Sequence, residues 1–249
     1  MEIAEHIAAV REQGKLLAAA AERAPLDSPV PSCPDWRLRD LVRHIGGVHR
    51  WATEHVSKPG TDNFDPFDEL ARNWPPDEQL VEWFREGHAG LVRALERADP
   101  NAERFTFLPA PSSLAFWARR QAHETGIHRA DAELASGNIT PYEPRLASDG
   151  IEELIFGFVG SRPRSKLTAE NPRTLHLHAT DCDGEWLVRI GPSDPQLSRE
   201  HADADCTVQG AASELYLFLW NRVGQDGLQI SGDPRVLDQW RTTVRVRWS

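Results

Sequence analysis

Apolar side chains recur every three or four residues along four long stretches in the first part of the chain. This spacing places them on one face of a helix, so it predicts amphipathic helices. The four predicted helices cover about residues 2–23, 35–55, 77–98 and 112–136. Four consecutive helices of roughly 20 residues predict a four-helix bundle.

Proline, glycine and short polar residues mark where these helices begin and end. Asp35 and Asp77 are predicted to be N-caps, because a carboxylate accepts hydrogen bonds from the free backbone amides of a first turn. Gly137 is predicted to end the fourth helix. A proline-rich connector at residues 24–31 separates the first two helices, and residues 57–76 are predicted to form a loop.

The second part of the chain changes to short apolar segments, several of which alternate with polar residues. Turn residues separate the first two segments, which predicts a β-hairpin. The predicted strands are 174–179, 185–190, 205–209 and 228–231, and the predicted helices are 151–160, 211–223 and 234–245. This mixture predicts an α+β domain with a small antiparallel sheet. We therefore divide the chain into a helical domain, residues 1–145, and an α+β domain, residues 146–249.

The composition narrows the function. Hydrophobic residues make up 40% and charged residues 27%, as in ordinary soluble domains. The formal charge of −10 argues against a nucleic-acid partner, because phosphate binding requires a basic surface. No apolar run approaches the roughly 20 residues that span a bilayer, and the N-terminus lacks the regions of a signal peptide. We therefore expect a cytoplasmic protein, favour a monomer, and expect no nucleic-acid or membrane partner.

The fourth predicted helix carries the main candidate chemistry. Glu124 and His128 are four residues apart, so their side chains lie one turn apart on the same face. A carboxylate and an imidazole at this spacing can share a divalent metal ion. The alternative is an ordinary hydrogen bond between the two side chains on a solvated helix face.

A catalytic zinc usually has three protein ligands and one open position. His44 is the best third candidate, because it lies among apolar residues of the second helix and a buried histidine needs a hydrogen-bond partner or a metal. A structural zinc would need a fourth protein ligand, for which His49 and His123 are the candidates. The sequence does not distinguish zinc from nickel or iron.

Other chemistry-bearing residues have simpler interpretations. Cys33 precedes the second helix, where a thiol can have a lowered pKa, but a packing role in a tight turn is favoured. His176 and His178 share one face of a predicted strand. Solvated or interface positions are favoured for both histidines over a second metal site.

Four stretches of the chain resemble a known family. They are residues 33–44 (CPDWRLRDLVRH), 123–133 (HETGIHRADAE), 217–222 (LFLWNR) and 230–234 (ISGDP). The first two resemble the mycothiol-dependent maleylpyruvate isomerase family, a branch of the DinB-like four-helix metalloenzymes. The last two are similar to the second domain of that family, which is itself similar to sterol-carrier proteins.

The resemblance implies a metal triad, a thiol and a substrate. The triad falls on His44, Glu124 and His128, and the metal expected for two imidazoles and a carboxylate is zinc. The family also has an arginine in the C-terminal domain that faces the metal, which corresponds to Arg222. The thiol would be mycothiol, and the substrate a small electrophile or a diacid.

Two enzyme classes and one binding function remain open at this point. A thiolate that adds to a cis double bond, allows rotation and leaves would make the protein an isomerase. A thiolate that attacks an electrophile and stays attached would make it a thiol S-transferase. The alternative from a different class is a non-catalytic module that binds a metal and a small ligand.

Overall fold

A computed structural model of the protein describes residues 1–58, 60, 67–137, 139–161 and 166–246. These residues form two compact units, Met1–Thr140 and Pro141–Ser249, and each unit is described by itself. Within the described residues, no helix is both long enough and apolar enough to cross a bilayer.

The first unit contains four long helices and one short one. The long helices are α1 (Ile3–Arg23), α2 (Leu38–Ser57), α4 (Asp77–Arg97) and α5 (Ser113–Ser136), and the short helix is α3 (Phe67–Arg72). The four long helices lie within about three residues of their predicted bounds. Helix α3 falls inside the predicted loop at residues 57–76, of which residues 59 and 61–66 lie outside the described residues.

The predicted N-caps of α2 and α4 are wrong. Helix α2 begins after Arg37, whose backbone N–H donates to Asp40 Oδ2 at 2.9 Å. Asp35 lies in the turn before the helix. The bridge between Pro29 and Arg37 keeps Arg37 extended, so the helix begins only after that residue. Asp77 is the first residue of α4 rather than its cap, and there its charge complements the positive end of the helix dipole.

The ends of α5 follow ordinary capping chemistry. The Ser112 side chain accepts a hydrogen bond from the Ala115 backbone N–H at 3.1 Å. Gly137, with a φ of 137°, ends the helix, which confirms the predicted stop. These two caps fix α5 as a helix of 24 residues, and its middle carries the candidate metal ligands.

The four long helices pack around two apolar clusters, with α1 against α4 and α5 and with α2 against the same two helices. Central residues of the two clusters are Leu17, Leu41, Ile45 and Phe84 in one, and Val10, Ala52, Leu91 and Trp117 in the other. Helix α1 approaches α4 closely at Gly14, because His88 fills the space that a larger side chain would need. The His88 ring is held there by donating from Nε2 to the Val10 carbonyl at 3.0 Å.

The second unit contains three helices, one π-helical segment and five strands. The helices are α6 (Pro144–Glu152), α7 (Ala212–Leu219) and α8 (Pro234–Thr243), and the π-helical segment is Glu153–Val159. The strands are β1 (Arg173–Ala179), β2 (Gly184–Ile190), β3 (Gln196–Ser198), β4 (Cys206–Gly210) and β5 (Gln229–Gly232). Helix α6 begins well before the predicted residue 151, because Pro144 has the φ that a first helical residue requires.

The α+β class of the second unit is confirmed, but its sheet is mixed rather than antiparallel. The strand order is β3-β2-β1-β4-β5. Strand β1 pairs antiparallel with β2, which confirms the hairpin, and parallel with β4. The parallel pairing of β1 with β4 joins residues that are far apart in the sequence. Asp205 and Thr174 exchange two backbone-to-side-chain hydrogen bonds of 2.7 and 2.8 Å, which fix the start of β4 beside β1.

The two faces of this sheet differ. Helices α7 and α8 pack on the face that carries the inner residues of the central strands, which include Leu175, Leu177, Val188 and Val208. The opposite face carries His176 and His178 from β1, and Glu185 from β2 lies directly opposite His178. At the sheet edge, Gly232 has a φ of 87°, and a side chain there would meet the carbonyl oxygen of Asp205.

Candidate metal centre

Three side chains from α2 and α5 converge in the first unit. Nε2 of His128 lies 3.3 Å from Glu124 Oε1, and Nε2 of His44 lies 3.6 Å from the same oxygen. One potential ligand atom from each residue lies within 4.8 Å of the other two. The structure therefore brings together the three residues that the sequence selects.

Two of these side chains are buried, and His44 is partly buried. Glu124 and His128 are each 4% exposed, and every residue of α5 from Arg120 to Glu133 is buried. The alternative interpretation, a hydrogen bond on a solvated helix face, is therefore wrong about the solvated face. A buried carboxylate beside two imidazoles requires compensation by charge or by hydrogen bonds.

The outer nitrogen of His128 is held by a buried carboxylate. His128 Nδ1 donates to Asp131 Oδ2 at 2.9 Å, and Asp131 Oδ1 accepts from the Ser32 hydroxyl at 2.5 Å. A proton on Nδ1 leaves the lone pair on Nε2, the nitrogen that faces Glu124. Carboxylates commonly orient metal-binding histidines in this way.

The second oxygen of Glu124 is also committed. Arg120, which is 1% exposed, donates from Nη2 to Glu124 Oε2 at 2.8 Å. Glu124 Oε1 is buried and makes no hydrogen bond with any residue in the described part of the chain. An inward-facing carboxylate oxygen of this kind, beside two imidazole nitrogens, fits a divalent cation such as Zn²⁺.

The electrostatics of the cluster favour one bound positive charge. Burial would raise the pKa of Glu124, but His128, His44 and Arg120 outweigh that effect and hold it well below its usual range. Burial would lower the pKa of His128, but the Asp131 and Glu124 carboxylates raise it to about 9. Burial lowers the pKa of His44. Without a metal, His128 therefore carries the proton that a cation would replace.

The connector between α1 and α2 forms one wall of the site. The Trp36 ring lies 4.9 Å from the His44 ring and 6.2 Å from the His128 ring, measured between centroids. The same connector supplies Ser32, the partner of Asp131. Cys33 is half-buried against the apolar cluster beneath it, as the packing interpretation predicts.

The two candidates for a fourth ligand lie elsewhere. His49 Nε2 is hydrogen-bonded to Thr125 Oγ1 at 2.9 Å, and the His49 ring packs on Phe84. The His123 ring lies against His6, with the ring centroids 6.1 Å apart. Neither histidine belongs to the group of three that converges on Glu124 Oε1.

The predicted arginine lies in the second unit. Arg222 follows α7, and its Nη1 donates to the Trp220 carbonyl at 2.8 Å. Its backbone N–H donates to the Leu217 carbonyl, also at 2.8 Å. The guanidinium is therefore oriented by the turn that ends the helix.

Sequence reasoning missed the groups that support the three ligands. Asp131 lies three residues after His128, and Arg120 lies four residues before Glu124, so both spacings could be found on a helical projection. Ser32 carries no such signal, because it is 99 positions from Asp131 in sequence. Trp36 lies beside His44 and His128 only in the folded chain.

Two protein-family models match this chain, one in each part. The family model described as the mycothiol maleylpyruvate isomerase N-terminal domain matches residues 7–133, and the model described as the MDMPI C-terminal domain matches residues 145–239. A search of curated proteins found no match.

Two solved structures share the fold. The crystal structure of a mycothiol-dependent maleylpyruvate isomerase superposes with a TM-score of 0.63 and 13% identity, covering 93% of this chain and 93% of that one. A crystal structure of a single-site mutant of that isomerase has the same TM-score, identity and coverage. At this identity the likeness shows the fold alone.

Proposed function

Because the chain belongs to the mycothiol maleylpyruvate isomerase family, we propose that it is a thiol-dependent cis–trans isomerase of a maleylpyruvate-like diacid. Mycothiol is the proposed thiol, and zinc the proposed metal, held by His44, Glu124 and His128. The observation that carries this proposal is the convergence of three potential ligand atoms within 4.8 Å, two of them from buried residues, with the outer atoms of these two ligands already bonded to Asp131 and Arg120.

His44, Glu124 and His128 would hold a divalent ion, which would lower the pKa of a bound thiol and favour the nucleophilic thiolate. The residues of this chain prepare the site for that chemistry. Asp131 orients His128, Arg120 orients Glu124, and the Trp36 ring packs beside the His44 ring. Because these groups are fixed before a ligand arrives, little reorganisation is needed on binding.

The proposed reaction balances without a net proton transfer. The thiolate sulfur adds to one carbon of the cis double bond, and the electron pair moves into the adjacent carbonyl as an enolate. The former double bond is now single and rotates. The enolate electrons then reform the double bond in the trans geometry as the C–S bond breaks, which returns the thiolate.

Arg222 is the proposed partner of a substrate carboxylate or of the enolate charge. The family resemblance supports this role, and so does the chemistry of the guanidinium, which offers five N–H donors and binds carboxylates in pairs. One of these donors bonds to the Trp220 carbonyl.

The direct test is turnover of maleylpyruvate by the zinc-loaded protein, with and without mycothiol, followed by NMR of the alkene protons. We expect the trans isomer to form only when mycothiol is present. Glu124→Gln should abolish turnover and metal binding at this site. The matched control is Glu54→Gln, because Glu54 is on α2 in an exposed ion pair with Lys58, and it should change neither.

Arg222→Lys separates substrate binding from metal binding. It should lower kcat/KM and leave the zinc content unchanged. Ligand binding without turnover would contradict the enzyme proposal and favour a binding module. A stable S-conjugate of mycothiol, in place of the trans isomer, would contradict the isomerase assignment.

A further inference from the structure

A second group of potential metal ligands lies on the polar face of the sheet in the second unit. It consists of His176 on β1, Glu185 on β2 and His201 in the segment before β4. One ligand atom from each residue lies within 4.8 Å of the others. His201 Nδ1 is 3.0 Å from Glu185 Oε1, and the rings of His176 and His201 are nearly perpendicular at 5.2 Å.

Of the two positions expected for His176, solvated or at an interface, the structure contradicts the solvated one, since the residue is 2% exposed. Its Nε2 is buried and has no hydrogen-bond partner among the residues for which the structure gives side chains. An unsatisfied buried polar group lowers the stability of the folded chain. The hydrogen bond between His201 and Glu185 therefore does not explain why all three residues converge, because His176, the most buried of them, remains unsatisfied.

We propose that His176, Glu185 and His201 bind a second divalent transition-metal ion, with zinc as the metal of best fit. Two imidazoles and a carboxylate are ligands that zinc prefers, and three protein ligands leave one position for water. The ligands come from three separate segments, so the ion would tie the β1–β2 hairpin to the segment that leads into β4. No residue is shared with the His44 site, and the proposal does not depend on the isomerase activity.

The neighbouring His178 provides an internal comparison. Its Nε2 lies 3.6 Å from Glu185 Oε1, yet it is not one of the three residues whose ligand atoms converge. The geometry therefore assigns His201, and not His178, as the third ligand. The ligand set can therefore be tested by comparing a His201 variant with a His178 variant.

The test is the zinc content of the full chain after equilibrium dialysis against buffered zinc without chelators, measured by mass spectrometry. His201→Ala should bind one zinc ion fewer per chain than the parent. The His201 side chain is 76% exposed, so this variant should keep its fold, which circular dichroism would verify. His178→Ala should bind as much zinc as the parent.

Equal zinc content in the parent and His201→Ala would overturn the proposal, and so would loss of an ion in His178→Ala alone. The result also separates the two sites. One ion in the parent and none in His201→Ala would support this second site while contradicting the His44 site. One ion in both would support the His44 site alone. Glu185→Gln gives an independent check, since it should lose the same ion as His201→Ala.

Discussion

Asp131 fixes which nitrogen of His128 faces the other two ligands, so its charge should control metal affinity at that site. Asp131→Asn keeps the size of the side chain and removes the charge. We expect zinc affinity to fall by about 10–100-fold, as for other carboxylates that support metal-binding histidines. Competition with a chromophoric chelator measures this change.

Ser32→Ala is the matched control, because it removes only the neutral hydrogen bond to Asp131 and leaves the carboxylate in place. It should weaken zinc binding much less than Asp131→Asn does. Equal effects of the two variants would mean that the charge of Asp131 is unimportant and that only its position matters.

The raised pKa of His128 determines how the stability of the metal-free protein should depend on pH. Its pKa is raised from 6.5 to about 9 in the folded chain, so the protonated ring stabilises the fold. This contribution is complete below pH 6.5 and is lost as the pH rises through 9. A pKa difference of one corresponds to about 1.4 kcal/mol, so the loss is on the order of 3 kcal/mol.

Urea unfolding of the metal-free protein at several values of pH between 6.5 and 9.5 measures this dependence. His128→Gln is the control, and its free energy of unfolding should change far less over the same interval. A parent protein whose stability is flat or rises across this window would contradict the proposed charge state of the cluster.

The three candidate metal ligands could be selected from the sequence, whereas the contacts that the connector makes with them could not. Glu124 and His128 have a helical spacing that directly encodes a shared face, and His44 stands out among apolar neighbours. The Ser32–Asp131 hydrogen bond depends on where the proline-rich connector returns in the folded chain. A periodicity argument contains no information about that return.

At the scale of elements, the contact between α1 and α4 should depend on Gly14. A Cβ at this position would lie 2.2 Å from Nε2 of His88, whose ring is held by its bond to Val10. Gly14→Ala should therefore destabilise the protein by about 1–3 kcal/mol, the usual range for overpacking. Chemical denaturation gives the free energy.

Gly90→Ala in α4 is the control, because the nearest atom to an added Cβ is the flexible end of Arg93 at 4.0 Å. Replacing a helical glycine by alanine without a clash should stabilise the protein by about 0.5–1 kcal/mol. If both variants had the same effect, the close packing of α1 on α4 at Gly14 would be contradicted.

Secondary structure was predictable where one period persisted over many residues. The four long helices satisfy that condition, and so does the β1–β2 hairpin. Strand β3 has three residues and gives no periodic signal, and the parallel pairing of β1 with β4 is a long-range choice. Helix α5 is buried along its whole middle, although that stretch is rich in polar residues. Its burial could therefore not be predicted from the sequence.

At the scale of the whole molecule, the end of the first unit is held by a buried ion pair. Arg129 Nη1 donates to Glu133 Oε2 at 2.6 Å, and Glu133 also accepts from the backbone and hydroxyl of Thr140 at 2.9 and 2.8 Å. Glu133→Gln removes the carboxylate charge from this pair while Arg129 stays buried. Such changes typically cost about 3–5 kcal/mol, and denaturant unfolding would measure the cost.

The exposed pair between Glu54 and Lys58 again supplies the comparison. Glu54→Gln should change the free energy of unfolding by less than about 1 kcal/mol. A Glu133→Gln variant as stable as Glu54→Gln would show that the Thr140 segment is not anchored through this ion pair.

The central claim is that His44, Glu124 and His128 together bind a metal ion. The most direct test is the zinc content of the His201→Ala chain, in which only this site should remain, beside the same chain that also carries His128→Ala. One zinc ion per chain in the first and almost none in the second is the predicted result. Equal zinc content in the two chains, or no zinc in either, would contradict it.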